Sequence, residues 1–190
     1  MVATRVAFAG THSTGKTTLI RRVEMELRST GLTVARTPAS FAQQAAELGF
    51  PKLQNQTAEC TEWIIAASAA AAVEATLNAD VVLIDRSAVD PFAYWLAAQE
   101  EPDPAAGDRL HRLVQAHAAT YDHLYATVLD PTVPLGDCRD RDPDYRAAVD
   151  RSVHDLLTSL NLRHKKVTYA DFNGDAVEVI VRRITAKVAA

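Results

Sequence analysis

Short apolar runs alternate with longer segments of helical spacing along the whole chain. The first run, residues 2–8, stops at Gly10, and residues 16–28 then place apolar side chains three and four positions apart. Because side chains repeat every two residues in a strand and every 3.6 in a helix, this order predicts a strand, a glycine loop and a helix. The wholly apolar run 81–84, bounded by two aspartates, predicts a central strand that is covered on both faces.

The same alternation continues to the end of the chain. Strands alternating with helices form a parallel sheet with helices on both faces, joined by right-handed crossovers. The pattern therefore predicts an α/β fold with three layers, a five-stranded parallel sheet, and a single domain over residues 1–190. Further strands are predicted at 32–36, 124–129 and 166–169, and further helices at 40–48, 55–79, 88–99, 105–120, 144–160 and 175–188.

Residues 10–17 read GTHSTGKT, which fits the phosphate-binding pattern G-x-x-x-x-G-K-[ST] between a predicted strand and a predicted helix. In this setting, backbone N–H groups and the helix N-terminus face the phosphates of a nucleotide. We expect Lys16 to reach the β- and γ-phosphates and the Thr17 hydroxyl to bind Mg²⁺. His12 either contacts a substrate or fills the loop. The ATP-binding residues predicted by this motif are Gly10, Thr11, His12, Ser13, Thr14, Gly15, Lys16, Thr17 and Thr18.

Asp85 and Arg86 directly follow the apolar run 81–84. If that strand neighbours the first one, the Asp85 carboxylate lies beside the phosphate loop, where it can hold Mg²⁺ or accept a proton from the phosphate acceptor. The planar Arg86 guanidinium can bind a phosphate or another substrate oxygen. The alternative is a buried Asp–Arg pair with a structural role only. Asp90 either caps the next helix or meets the substrate.

The segment 132–143 interrupts the alternation because it is rich in proline and charged residues, and this composition predicts a surface loop. In phosphoryl transfer, arginines on a mobile loop can close over the nucleotide and stabilise charge on the transferred group. Arg139 and Arg141 are the candidates for this role. The alternative is an ordinary solvated loop.

Aromatic and amide side chains between the second and third predicted strands suit a ring like that of a nucleobase. Phe41, Gln56 and Glu59 are the acceptor-binding candidates drawn from this set. The alternative for each of them is ordinary helix packing.

The formal net charge of −4 provides no broad basic field for long nucleic acid, which argues against a polynucleotide 5′-end kinase. No apolar run reaches the roughly 18 residues that span a bilayer, and the N-terminal residues do not read as a signal peptide. We therefore expect a cytoplasmic protein without a membrane partner. The alanine-rich helix 55–79 can pack within the subunit or across a homodimer.

Three segments in this order resemble the P-loop kinases of the ribosylnicotinamide kinase-like (AAA-type) group, which is related to the thymidylate kinase-like nucleoside and nucleotide kinases. The resemblance implies ATP and Mg²⁺, a small nucleoside-like acceptor, and a mobile lid at about 131–143 in which Arg139 is catalytic. The segments are GTHSTGKTTL at 10–19, VVLIDRSAVDPFAYW at 81–95 and YDHLYATVLDPTVPLGDCRD at 121–140, and a closing strand and helix follow at 167–188.

The chain departs from this group after the second predicted strand. Relatives often carry an acidic residue there that faces the acceptor, whereas residues 37–40 read TPAS. Asp85 is therefore the preferred general base. The expected function is an ATP-dependent kinase for a nucleoside-like or nucleoside monophosphate-like acceptor. The alternatives are a P-loop ATPase or nucleotide switch that acts on a protein partner, and a polynucleotide 5′-end kinase.

Overall fold

The computed structural model describes residues 2–132, 142–173 and 175–189. The described strands form one parallel sheet in the order β2-β3-β1-β4-β5. The predicted α/β fold with a five-stranded parallel sheet is confirmed. The strands are β1 (Thr4–Ala9), β2 (Val34–Arg36), β3 (Val81–Asp85), β4 (His123–Thr127) and β5 (Lys165–Val167).

Helices cover both faces of the sheet. Side chains alternate along a strand, so Val6 and Phe8 pack with one set of helices, and Ala7 and Ala9 pack with the other. The first set is α1 (Lys16–Ser29) and α7 (Asp175–Val188), and the second set is α3 (Ala58–Ala75), α4 (Val89–Ala98), α5 (Pro104–Ala118) and α6 (Pro143–Ser159). A short helix, α2 (Phe41–Glu47), packs on α3.

Several element boundaries differ from the predicted ones. The helix predicted at 55–79 begins at Ala58, because the Thr57 hydroxyl accepts the N–H of Cys60 at 3.3 Å, and it ends at Ala75. Single 3₁₀ turns at Leu53–Asn55 and Tyr169–Asn173 were not predicted, since elements this short show no hydrophobic period.

The lid predicted at about 131–143 falls mostly on residues 133–141, which lie outside the described residues. Arg139 and Arg141 are among them. Within the described ranges, no helix combines the length and apolarity needed to cross a membrane.

The carboxyl ends of β1 and β3 form the edge of the sheet that positions the site. These two strands pair directly, with Phe8 opposite Asp85. The phosphate-binding loop leaves β1 one residue after Ala9, so the loop and the Asp85 carboxylate emerge side by side. Ligands of open α/β sheets bind at this carboxyl edge.

Candidate active site

The loop between β1 and α1 follows a path that requires glycine at two of its positions. Gly10 has φ 140° and Gly15 has φ 81°, which are backbone conformations that favour glycine. A Cβ atom on Gly10 would lie 2.1 Å from Thr127 Oγ1, and one on Gly15 would lie 2.4 Å from the Phe172 ring. The loop therefore packs its backbone directly against β4 and the turn before α7.

Within the loop, the Lys16 ammonium is buried and lies over backbone carbonyls. It donates hydrogen bonds to the carbonyl oxygens of Gly10 at 2.6 Å and Thr11 at 2.5 Å. The Thr14 hydroxyl donates to the Thr11 carbonyl at 3.0 Å and lies 2.7 Å from Thr127 Oγ1. This network holds a positive charge at the centre of a turn whose N–H groups bind phosphate in proteins with this motif.

Beside the loop, the hydroxyl of Thr17 lies 3.5 Å from the Asp85 carboxylate. Thr18, the last residue of the predicted set, is exposed on α1. Hydroxyl and carboxylate oxygens are ligands that Mg²⁺ accepts, and this ion usually keeps several waters and substrate phosphates in its shell. In the part of the chain that the structure describes, no three His, Cys, Asp or Glu side chains converge on a common point. The Thr17–Asp85 pair fits a Mg²⁺ ion held jointly with nucleotide phosphates.

Asp90 binds the phosphate-binding loop. Its fully buried carboxylate accepts the N–H of Gly10 at 2.9 Å and the hydroxyl of Ser87 at 2.8 Å. Burial raises the pKa of Asp90, although the charges of Lys16 and Arg86 oppose this shift. Of the two roles considered for Asp90, the helix cap is not observed, because Ala88 occupies the N-cap position of α4 and the Asp90 carboxylate binds Gly10 and Ser87.

Arg86 leaves the sheet in a strained backbone conformation, with φ 81°. Such a conformation in a non-glycine residue costs on the order of 1–3 kcal/mol and is found mostly at functional sites. The guanidinium carbon lies 5.7 Å from the centre of the Tyr94 ring. The Tyr94 hydroxyl in turn accepts the backbone N–H of His12 at 3.0 Å and lies 2.8 Å from the His12 ring nitrogen Nδ1. Arg86 and His12 therefore share one aromatic support.

A cavity of about 210 Å³ adjoins this group of residues, between the loop, α2, α3 and α4. Its polar end is lined by Asp85, Arg86 and Asp90, together with His12. The rest of the wall is largely apolar and includes Phe41. We refer to it as the acceptor cavity. It has the character of a small-molecule site, in which a few polar groups converge at one end of an apolar pocket.

The three acceptor candidates from the sequence differ in position. Phe41 and Gln56 line the acceptor cavity, whereas Glu59 is exposed on the first turn of α3 and is not among its lining residues. The Gln56 amide nitrogen already donates to the Thr61 hydroxyl and the Pro91 carbonyl, both at 2.8 Å. Gln56 therefore helps to shape the cavity wall, and its amide oxygen is the atom left for a ligand.

Arg146 was missed by the sequence analysis. This arginine of α6 is 6% exposed and donates to the carbonyl oxygens of His12 at 3.3 Å and Ser13 at 2.9 Å. A signal was present, because Arg146 lies three and seven positions before Val149 and Val153 and so falls on the buried face of its helix. Arg146 ties the phosphate-binding loop to the helix that follows residues 133–141.

Two aromatic residues next to Gly15 were also missed. Tyr169 and Phe172 lie 5.3 Å apart, measured between ring centres, and both approach the position that a Cβ atom on Gly15 would take. Arg22 donates a hydrogen bond to the Phe172 carbonyl, and the Tyr169 side chain is 43% exposed. The turn therefore presents an aromatic face beside the first turn of α1.

Solved structures with a similar fold support this architecture. The NadR protein in complex with NR aligns with a TM-score of 0.73 at 15% sequence identity, over 97% of this chain and 52% of that chain. The NadR protein in complex with NAD and AMP-PNP aligns with a TM-score of 0.70 at 16% identity, over 100% of this chain and 50% of that chain. The present chain thus spans about half the length of these proteins. At such identities the likeness establishes the fold.

Sequence comparison identifies the family. Among curated proteins, the search finds no match. The model of one domain family matches residues 5–173, which include the phosphate-binding loop, Asp85 and Arg146. The resemblance to the ribosylnicotinamide kinase-like group of P-loop proteins is confirmed at the level of family and fold. The chain belongs to the AAA domain family of P-loop proteins.

Proposed function

We propose that this protein is an ATP-dependent kinase that transfers the γ-phosphate to a small nucleoside-like or nucleoside monophosphate-like acceptor. One observation carries the proposal: the phosphate-binding loop and the acceptor cavity meet at Asp85. Its carboxylate lies 3.5 Å from the Thr17 hydroxyl and also lines the cavity. A kinase requires this adjacency, because the attacking oxygen of the acceptor and the leaving oxygen of ADP must lie in line on opposite sides of the γ-phosphorus.

On the nucleotide side, the proposal assigns the phosphates of ATP to the N–H groups of residues 10–17 and the N-terminus of α1. Lys16 leaves the carbonyls of Gly10 and Thr11 and binds the β- and γ-phosphates instead. Tyr169 offers its exposed face beside Gly15 to the nucleoside part of ATP. Bound Mg²⁺, held by Thr17 and Asp85, supplies positive charge to the phosphates.

On the acceptor side, an acceptor oxygen attacks the γ-phosphorus, the bond from that phosphorus to the β–γ bridging oxygen breaks, and ADP leaves. Asp85 takes the proton of an acceptor hydroxyl. Arg86 binds an acceptor oxygen or phosphate through its planar guanidinium. For the charge on the transferred group, the proposal assigns Arg139 through the resemblance and Arg141 as the second arginine of the same charged segment.

Thr37 supports the choice of Asp85 as the base. Thr37 belongs to the TPAS segment, where relatives often carry an acid, and it is 2% exposed. Its hydroxyl accepts the backbone N–H of Asp85 at 3.1 Å. Asp90, the other carboxylate that lines the cavity, is bound to Gly10 and Ser87. Asp85 is therefore the better placed of these two acids, and Thr37 helps to hold its backbone.

The ligands of the similar structures support the substrate class. Those proteins were solved with NR in one case and with NAD and AMP-PNP in the other, that is, with nucleoside-type and nucleotide-type ligands. The different TPAS segment indicates that the acceptor of the present protein need not be the same compound. We therefore propose the class of acceptor and leave its identity to experiment.

An ADP-release assay with ATP·Mg²⁺ tests the proposal. The panel contains nucleosides, nucleoside monophosphates, nicotinamide riboside and 5′-hydroxyl oligonucleotides. We expect one monomeric compound to stimulate ADP release from the wild-type protein and to have no effect on Lys16→Ala. Nucleotide binding without stimulation by any compound would contradict the proposal and favour a nucleotide switch, and stimulation by the oligonucleotides alone would favour an end kinase.

A further inference from the structure

A second cavity, of about 330 Å³, lies under α3, between that helix, α5 and the sheet. Small side chains make much of its wall, among them Ala69 and Ala72 of α3 and Ala116 of α5. Ile84 of β3 also lines it. Its outer wall includes the exposed residues Ala116 and Thr120, so this space opens to solvent beside the buried strands.

The second cavity adjoins the acceptor cavity. Ile65, Ser68 and Ala88 line both spaces. The acceptor cavity alone, at about 210 Å³, is smaller than the roughly 300–1,000 Å³ of typical small-molecule sites. With the second cavity of about 330 Å³ added, the joint space falls inside that range. The two cavities therefore form one site of ordinary size more readily than two separate sites.

Polar groups are few in the second cavity. The Tyr121 hydroxyl lies at the junction, because it accepts the backbone N–H of Ala88 at 3.0 Å. Burial raises the pKa of Tyr121 to about 12, so its O–H stays protonated at neutral pH and can donate a hydrogen bond. Burial lowers the pKa of His117, which favours the neutral imidazole.

Among the described residues that line this cavity, Arg5 is the one with a permanent positive charge, since His117 favours its neutral form. Burial is the main influence on the pKa of Tyr121, and the positive charge of Arg5 opposes the increase. The neighbouring Asp122 carboxylate accepts the backbone N–H of Arg5 at 2.9 Å, and its charge pairs with the Lys187 ammonium at 3.5 Å. The far wall therefore combines an apolar surface with a group that attracts an anion.

We propose that the second cavity is the distal half of the acceptor site and takes an apolar arm of the acceptor, a ring or short chain that ends in an anionic or hydrogen-bond-accepting group near Arg5. This inference rests on the proposed function. The phosphorylated end lies at Asp85 and Arg86, and the arm passes Ile65, Ser68 and Ala88. The natural acceptor is thus longer than a nucleoside and carries its extension away from the reacting oxygen.

The test uses anilinonaphthalene sulfonate, a fluorescent probe with apolar rings and an anionic group, titrated into the protein in the presence of ATP. Ala72→Leu places a larger side chain of α3 in the second cavity. Ala70→Leu makes the same chemical change two residues earlier on the exposed face of the same helix, and it is the matched control. We expect Ala72→Leu to weaken probe binding by at least about tenfold and Ala70→Leu to leave it within about twofold.

Two further variants keep the test decisive. Ala69→Leu narrows the same cavity from a partly buried position and should act like Ala72→Leu. Arg5→Gln keeps the size of the side chain but removes its charge, and it should weaken the probe by about threefold to tenfold. Because leucine at position 72 enters empty space, the melting temperature of Ala72→Leu should equal or exceed that of the wild type. A clear fall would mean that the space is already filled, which would overturn the inference.

The outcomes separate this inference from the proposed function. If both cavity variants bind the probe as tightly as Ala70→Leu does, the inference is wrong, whether or not the ADP-release assay finds an acceptor. If they lose probe binding and the wild type phosphorylates an acceptor of the predicted form, both proposals stand. Loss of probe binding in a protein that phosphorylates none of the compounds would leave a real cavity but contradict its assignment to an acceptor.

Discussion

Replacement of Arg146 by methionine tests how the phosphate-binding loop is held. Methionine has a similar length but no hydrogen-bond donors and no charge. The change removes the bonds from Nη2 to the Ser13 carbonyl, at 2.9 Å, and from Nε to the His12 carbonyl, at 3.3 Å. Hydrogen bonds from charged groups contribute about 1.5–3 kcal/mol each.

The expected loss of stability follows from these distances. The hydrogen bond of 2.9 Å contributes its full free energy to stability, whereas the bond of 3.3 Å is long and contributes less. Arg146 is only 6% exposed, so burial of its charged guanidinium costs free energy of desolvation. The methionine variant does not have this cost, which offsets part of the loss. We therefore expect the free energy of unfolding to fall by about 2–3 kcal/mol. In a domain of this size that corresponds to a decrease of roughly 4–12 °C in Tm.

The functional readout is the affinity for ATP. A less ordered loop must be fixed when its N–H groups bind phosphate, so the Kd for ATP·Mg²⁺ should rise by about fivefold or more. Chemical denaturation and calorimetric titration measure the two quantities. The control is Arg151→Met, an exposed position on the same helix, where we expect a change within about 0.5 kcal/mol. If both variants gave the same stability and the same Kd, Arg146 would have no role in holding the loop.

Three further predictions concern the lysine of the loop, one of its glycines and the partly buried Tyr121. Lys16→Ala should lower kcat by at least about 100-fold while circular dichroism shows a folded protein, and wild-type turnover would exclude Lys16 from catalysis. Gly10→Ala should destabilise the fold by roughly 2–4 kcal/mol, because backbone strain and a clash with Thr127 add together. The control is Gly31→Ala, at φ 89° with open space around it, which should show the backbone strain alone. Equal losses of stability in the two variants would mean that the clash contributes nothing. Tyr121 has a pKa of about 12 in the folded protein, above the roughly 10 of the unfolded chain, so its contribution to stability is present at pH 9 and is lost as the pH rises towards 12. Between pH 9 and pH 11, urea unfolding should show about 1.3 kcal/mol more loss for the wild type than for Tyr121→Phe, and parallel pH curves would contradict this.

Sequence patterns were sufficient for the architecture. The run 81–84 is apolar on every residue because helices cover both faces of β3, and the loop 10–17 carries glycine where Thr127 and Phe172 leave no room for a Cβ atom. The loop is recognisable because its glycines lie within a short segment, and the strands and helices are recognisable because their apolar residues repeat with the period of each element. Strand order was not predicted. The expected position of Asp85 required only that the strand at 81–84 neighbours the first one, and β1 and β3 do pair.

Long-range contacts were beyond the sequence patterns. The guanidinium of Arg146 meets a loop more than 130 residues earlier. The spacing to Val149 and Val153 places Arg146 on the buried face of its helix, but it does not identify the loop as the partner. Gln56 lines the acceptor cavity, but its bonds to Thr61 and Pro91 depend on how α3 and α4 pack and were not predicted. The second cavity likewise results from several alanines that the sequence presents as ordinary helix formers.

The most direct test of the proposed kinase activity is the transfer of radiolabelled γ-phosphate from ATP. The wild type and Lys16→Ala are incubated with each panel compound, and the products are separated by chromatography. We predict that the wild type places the label on one small acceptor in amounts equal to the ADP formed, and that Lys16→Ala does not. Label recovered only as inorganic phosphate, with every compound unlabelled, would contradict the kinase assignment and identify the protein as an ATPase.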